Sequence, residues 1–258
     1  MKKQQLLNTW INNLDMEETI ACIQERIREG IPSYVVEVNV DVVVKMERDA
    51  GLRKIAKEAD LTLVDGKPLI WISKLYGRPV KMKISGSDLV PELIKTAVRE
   101  GYSVFILGGM GNTARKAASR MKAQFPTLKI AGAYGPPMGF EQDQRELERI
   151  NQRILQSRPD ILLACFGCPK QERWVYENYR KAGATVTVCA GATVDFLAGT
   201  IKRSPKWVSH MGFEWLWRFL KEPKRLFKRY FVDDTKILLL IWKYRKQRQR
   251  DTGKEAEE

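Results

Sequence analysis

Several residues stand where a chain could do chemistry, each just beyond a short apolar run. Asp65 follows Leu61-Thr62-Leu63-Val64 and precedes Gly66. A carboxylate at the carboxyl end of a buried strand can take a proton from a bound hydroxyl. An Asp-Gly turn is the plainer reading of the same pair. Asn39 interrupts the β-branched run VVEVNVDVVV (35–44), and an amide there must satisfy neighbouring backbone or hold a ligand. Gly108, Gly109 and Gly111 follow the run SVFIL, and Gly109, Gly111 and Ala114 fit G-x-G-x-x-A. Such glycines let backbone N–H groups approach a diphosphate at a helix start, or simply make a tight strand-to-helix turn. In FGCPKQE (166–172), Lys170 suits a phosphate and Gln171 a sugar. Asp195, in GATVDFLAG (191–199), reads equally as a strand-end functional group or a helix cap.

Absences narrow the chemistry. The only histidine is His210, which leaves no Ser-His-Asp triad elsewhere in the chain and no histidine-rich zinc centre. The four cysteines are too scattered for a disulfide scaffold, and the one C-x-x-C, Cys165 to Cys168, has no second pair to make a zinc site. A dinucleotide fold would place an acid about 20 residues beyond the glycine turn to hold the ribose. The next strand ends in Ala133-Tyr134, so a nicotinamide cofactor is not expected. No D-x-D pair occurs to carry a divalent cation for a nucleotide-sugar diphosphate. No cofactor and no metal are expected.

The elements that must position these residues alternate. Residues 1–30 read as helix, 35–44 as strand, 61–64 as strand, 68–77 and 85–101 as helices, and 103–107 as strand. Helix 112–126, strand 128–134, helix 141–159, strand 160–167, helix 170–183 and strand 185–191 follow. This predicts an α/β fold: a layered, largely parallel, Rossmann-like sheet with helices on both faces. Ligands of such sheets bind beyond the carboxyl ends of the strands, where the candidates above cluster.

Charge divides the chain differently. Residues 202–250 hold fifteen Lys and Arg against four acids, an excess of 11 out of the net +14. Ten aromatic residues, from Trp207 to Tyr244, are interleaved with them. We expect an α/β catalytic core over 1–200 and a basic, aromatic, helical appendage over 201–258, with Pro223 marking a helix start or break. That composition is that of an interfacial helix, which points to an anionic membrane surface. A core-packed face with solvated lysines is the alternative. The tail has no RNP motif, zinc finger or heptad zipper, so a nucleic-acid partner is not expected. The N-terminus has two lysines but no apolar signal core, and no apolar run approaches the roughly 18 residues of a membrane span. The expected location is therefore cytoplasmic, peripheral on the inner face of the cell membrane.

Taken in order, VNVDVVV with Asn39, ADLTLVDG with Asp65, SGSDLVPEL (85–93), FILGGMG (105–111), PDILLACFGCPKQE (159–172), GATVDFLAGTIKRSP (191–205) and EWLWRFLKEPKRLFKRY (214–230) resemble the WecG/TagA/CpsF family of bacterial glycosyltransferases. The look is closest to its teichoic-acid branch. The resemblance implies an inverting, metal-independent transfer of N-acetylmannosamine from UDP to undecaprenyl-diphosphate-linked N-acetylglucosamine, forming a β-1,4 bond. It implies Asp65 as the base on the acceptor 4-hydroxyl, with Asn39 holding the sugar. Gln171 and the glycines at 108–111 would line the donor pocket. It further implies that the C-terminal segment completes the site. Arg218 and Arg225 would then meet the diphosphates, with Arg229 or Lys228 as a third cation. A homo-oligomer is compatible with the family. Two rivals are a relative with another donor, UDP-N-acetylmannosaminuronate or UDP-glucose, and a membrane- or nucleic-acid-binding module whose glycine turns are only structural.

Overall fold

The protein, seen in a computed structural model, is described over residues 2–205, 208 and 214–245, with the side chains of Arg218 and Arg225 outside that description. The N-terminal reading needs correcting. Residues 4–11 are an antiparallel hairpin, β1 (Gln4–Leu6) and β2 (Thr9–Ile11), and only Met16–Glu29 is helical (α1). The chain turns at Leu7, whose φ of 55° lies in the left-handed region. α1 is started by a capping box between Asp15 and Glu18 and stopped by left-handed Gly30.

The apolar runs form one six-stranded parallel sheet. In chain order its strands are β3 (Ser33–Val38), β4 (Leu61–Val64), β5 (Ser103–Gly108), β6 (Lys129–Tyr134), β7 (Ile161–Cys165) and β8 (Val186–Cys189); in space they run β4-β3-β8-β7-β5-β6. Strands buried on both faces read as continuous apolar runs, which is why no clean alternation marks 61–64 or 161–165. The open edge of β4 is occupied by the hairpin's exit: Asn12 N–H donates to Thr62 O at 2.9 Å, and Asn12 Oδ1 accepts from Thr62 N–H at 2.8 Å.

Helices cover both faces. α2 (Val40–Arg48), α3 (Ala50–Glu58) and α4 (Lys67–Leu75) pack on one, and α5 (Gly86–Glu100) and α6 (Thr113–Gln124) on the other. α7 (Gln144–Ser157) and α8 (Lys170–Asn178) return to the first face, and α9 (Thr193–Ala198) joins α1, α5 and α6 on the second. The strand expected to run to residue 44 therefore stops at Val38. A cap at Asn39 converts the rest into α2, whose buried face of Val42, Val43 and Met46 has helical spacing.

The C-terminal segment is helical over α10 (Glu214–Lys221), α11 (Pro223–Lys228) and α12 (Ile237–Tyr244), linked by a π turn at Arg229–Asp233 and a 3₁₀ turn at Asp234–Lys236. Pro223 opens α11, where its missing N–H costs nothing. Leu226 and Leu240 are buried, and α12 lies on α2. Tyr76 Oη donates to Ile241 O at 2.7 Å, and Tyr244 Oη donates to Glu47 at 3.0 Å.

Candidate active site

Each strand of a parallel sheet releases its chain at the same edge, so the sequence candidates come out along one line. β7 and β5 are neighbours whose following helices, α8 and α6, lie on opposite faces. Ligands of open α/β sheets bind at such points. Gly108 ends β5 there and Gly167 follows β7. Four strand positions away, β4 ends at Val64 and Asp65 follows it. At about 4.8 Å per strand the two ends of this line are roughly 19 Å apart.

Asp65 is fixed by its backbone and by Asn39. Its N–H donates to Val38 O at 2.8 Å, which keeps β4 paired to its last residue. Asn39 Nδ2 donates to Asp65 Oδ2 at 3.2 Å, and Asn39 Oδ1 accepts from Val42 N–H at 3.1 Å. Asn39 is therefore a helix N-cap with its amide turned onto the carboxylate, and not a residue within a strand.

The glycine turn is held by close approach. Gly108 has φ 128°, and a Cβ there would lie 2.3 Å from Cys165 O. Gly109 has φ 72° and stands against Thr113. Among the described contacts Thr113 N–H donates to Met110 O at 3.1 Å and no side chain caps α6, so the first-turn N–H groups beyond Thr113 have no side-chain partner. That is the arrangement an anionic group uses.

Gln171 sits at the start of α8 and is buried. Its Oε1 accepts from Gly167 N–H at 3.2 Å and from Gly191 N–H at 3.1 Å, and its Nε2 donates to Glu172 at 2.8 Å. It thus ties the loops after β7 and β8 together. Lys170 pairs with Glu141. Asp195 lies within α9 and does not cap it. Its carbonyl accepts from Thr200 N–H at 3.0 Å, and its carboxylate accepts from Thr200 Oγ1 at 3.3 Å. Cys165 is buried and its thiol is pushed up to about 12 by burial, which suits no redox role.

Arg229 is placed beside α2. Its Nη2 is 3.5 Å from Asp41 and its Nε 4.0 Å from Asp234, while Lys45 Nζ reaches Asp41 at 2.8 Å. Burial pushes Asp234 up to about 6, against the pull of Arg229. The side chains of Arg218 and Arg225 lie outside the described residues, as does His210. Their backbones fall in α10 and α11 for the two arginines.

A polar group beside Asp65 escaped the sequence reading. Lys83 Nζ contacts Asp88 at 2.7 Å, Ser85 at 3.2 Å and Glu214 at 3.6 Å. Burial works against the Lys83 charge, yet the bond from Asp88 and the charges of Asp88, Glu214 and Asp65 raise it overall. Asp88 is opposed by burial too, but Lys83, Ser85 and Arg203 bond it and hold it at about 2. Because Glu214 opens α10, this cluster joins the core to the C-terminal segment next to Asp65. Glu37, on β3, is also directed to this edge. The visible signal for both was a charged residue set in apolar or small-residue surroundings, in VVEVNV and KISGSD.

The sequence model described as glycosyl transferase WecG/TagA/CpsF family matches residues 4–251. A Bacillus spizizenii protein named N-acetylglucosaminyldiphosphoundecaprenol N-acetyl-beta-D-mannosaminyltransferase is 29% identical over 193 residues, covering 75% of this chain and 73% of its own length. A Bacillus subtilis protein of the same name is 26% identical over 200 residues, covering 77% and 75%.

Proposed function

The chain belongs to the WecG/TagA/CpsF family of glycosyltransferases, and we propose that it moves N-acetylmannosamine from UDP to N-acetylglucosamine carried on undecaprenyl diphosphate, as in wall teichoic acid synthesis. The observation that carries this reading is the Asp65 carboxylate, oriented by Asn39 at one end of a line of strand ends whose other end is the Gly108–Gly111 turn. The roughly 19 Å between them leaves room for the sugar and diphosphate beside Asp65 and the nucleoside toward the glycine turn.

In this reading Asp65 takes the proton of the acceptor 4-hydroxyl as that oxygen attacks C1 of the donor sugar. The C1–O bond to the β-phosphate breaks on the opposite face and its electron pair leaves with UDP, so the new linkage is β-1,4 and the anomeric centre inverts. Asp65 then passes its proton to solvent. With no D-x-D pair in the sequence, the charge developing on the diphosphate falls to the cations Lys170, Arg218, Arg225 and Arg229, while the glycine turn, at the far end of the line, receives the nucleoside end of the donor. Asn39 and Gln171 hold the sugar-bearing loops, and Asp195 braces the loop after α9.

The acceptor is a lipid, and the 201–258 segment supplies a surface for it. Leu238, Leu239 and Trp242 on α12, with Phe227, Phe231 and Leu220, are exposed beside Lys221, Lys224 and Arg245. Among the described residues no helix is long and apolar enough to cross a membrane. An apolar, basic face that lies on an anionic bilayer places the line of strand ends near the lipid-borne sugar.

The test is UDP release from purified protein in EDTA, with UDP-N-acetylmannosamine, UDP-N-acetylmannosaminuronate and UDP-glucose offered separately. The reading expects turnover of the first donor alone, and only with the lipid-diphosphate N-acetylglucosamine acceptor present. Turnover of another donor in its place would overturn the donor assignment.

A further inference from the structure

The reaction above uses one carboxylate, yet two point at the same edge. Glu37 is next to last on β3 and pairs in register with Leu63 of β4. Side chains alternate along a strand, so Glu37 and Asp65, two residues beyond Leu63, project to the same face of the sheet. That is the face covered by α1, α5, α6 and α9, where Val35, Leu61 and Leu63 are core residues. Glu37 Oε1 is sealed from solvent and has no hydrogen-bond partner. The group around it is crowded. A Cβ added to Gly86, the first residue of α5, would lie 3.0 Å from Glu37 Oε1, 3.0 Å from Ala190 O and 2.8 Å from Thr193 Oγ1.

Glu37 is half-buried with Oε1 sealed, and it has no counter-charge within ion-pair distance among the described residues. The nearby cation, Lys83, is committed to Asp88 and Glu214. The groups facing Glu37 are Asp65 from β4, Lys83 before α5, Asp88 and the Gly86 N–H on α5, and the thiols Cys165 and Cys189 from β7 and β8. Two of these are acids and the thiols are neutral. Desolvation first, and the Asp65 charge second, push Glu37 far above the usual carboxylate range, with only the Gly86 N–H and Lys83 opposing.

We propose that Glu37 is a positioning residue that stays an un-ionised carboxylic acid beside Asp65, so that the pair carries one negative charge and Asp65 is the member that accepts the acceptor's proton. The proposal rests on the reading of Asp65 as the base. Two carboxyl groups driven apart in this way divide the roles of acid and base. The Glu37 proton also supplies a hydrogen-bond donor at an edge where the Asp65 and Asp88 carboxylates and the Ala190 carbonyl are acceptors.

Three variants and a pH profile of kcat separate the possibilities. Glu37→Gln keeps the shape and a neutral donor, and should retain about a tenth or more of native kcat. Its alkaline limb should move to higher pH, because in the native protein rate falls as Glu37 ionises. Glu37→Met keeps the volume without the donor and should lose roughly tenfold to a hundredfold in kcat with little change in KM, at no loss of thermal stability. Asp65→Asn should be inactive at all pH values. Glu37→Gln as inactive as Asp65→Asn would overturn the proposal, since the charge on Glu37 would then be required. Glu37→Met at native rate, or an unmoved alkaline limb in Glu37→Gln, would overturn it as well. An active Asp65→Asn would instead overturn the parent reading, and is read in a separate variant.

Discussion

The Asn39 amide joins a helix start to the end of a neighbouring strand: its oxygen caps α2 through Val42 N–H, and its nitrogen bonds Asp65 at 3.2 Å. The cap fixes which way the amide faces, because only the oxygen can accept from Val42. The nitrogen is then left for the carboxylate. A structural device, the start of α2, thereby sets the rotamer of the proposed base.

This relationship makes Asn39→Asp informative. Aspartate caps a helix as well as asparagine, so thermal stability should change by no more than about 0.5 kcal/mol. The donor to Asp65 is lost and a like charge takes its place, so kcat should fall about 100-fold. Unfolding midpoints and steady-state rates measured on the same preparation check both parts.

Gly108→Ala should be severe for a different reason. The backbone holds φ 128°, and the new Cβ would meet Cys165 O at 2.3 Å, where neither partner is a flexible side chain. A loss of stability on the order of 3 kcal/mol is expected by denaturant unfolding. Gly111→Ala, with φ 58° but open space around it, should cost only about 1 kcal/mol.

Asp88 gives a pH signature. Its carboxyl, held at about 2 against an ordinary 3.8, is lowered by folding. A lowered carboxyl contributes stability above the unfolded value and loses it as pH falls through the folded one. Asp88→Asn should therefore cost roughly 1 kcal/mol at pH 7, after allowing for its partial exposure. The gap from native should close between about pH 4 and pH 2. Thermal melts across that range read the difference.

Membrane association should depend on both charge and apolar contact. Leu239→Glu and Trp242→Glu change exposed positions on α12. Each should weaken binding to phosphatidylglycerol vesicles on the order of tenfold while leaving UDP-sugar binding in solution intact. Native protein should bind neutral phosphatidylcholine vesicles much less, checked by vesicle sedimentation.

Much of this was legible in the sequence. Apolar runs at 61–64, 103–107, 161–165 and 186–189 are strands because a parallel sheet buried on both faces admits little else. Asp65 and the 108–111 glycines were visible because strand-to-helix turns need particular residues there. The hairpin at 4–11 was not, because Leu6, Leu7 and Ile11 carry the same apolar spacing as a helix start. The end of β3 was hidden because Val40 and Val42 to Val44 are β-branched, and only the capping of Val42 by Asn39 turns them into helix. Glu37 and Lys83 were missed because the neighbours that give them importance, Asp65 for Glu37 and Glu214 for Lys83, are distant in sequence.

The most direct test of the account is UDP release by wild type and Asp65→Asn, with UDP-N-acetylmannosamine and a short-chain lipid-diphosphate N-acetylglucosamine in EDTA. The account predicts acceptor-dependent release by wild type and a fall of about 10²–10⁴-fold in Asp65→Asn, with the fold and donor binding retained. Release by Asp65→Asn at the wild-type rate would contradict it.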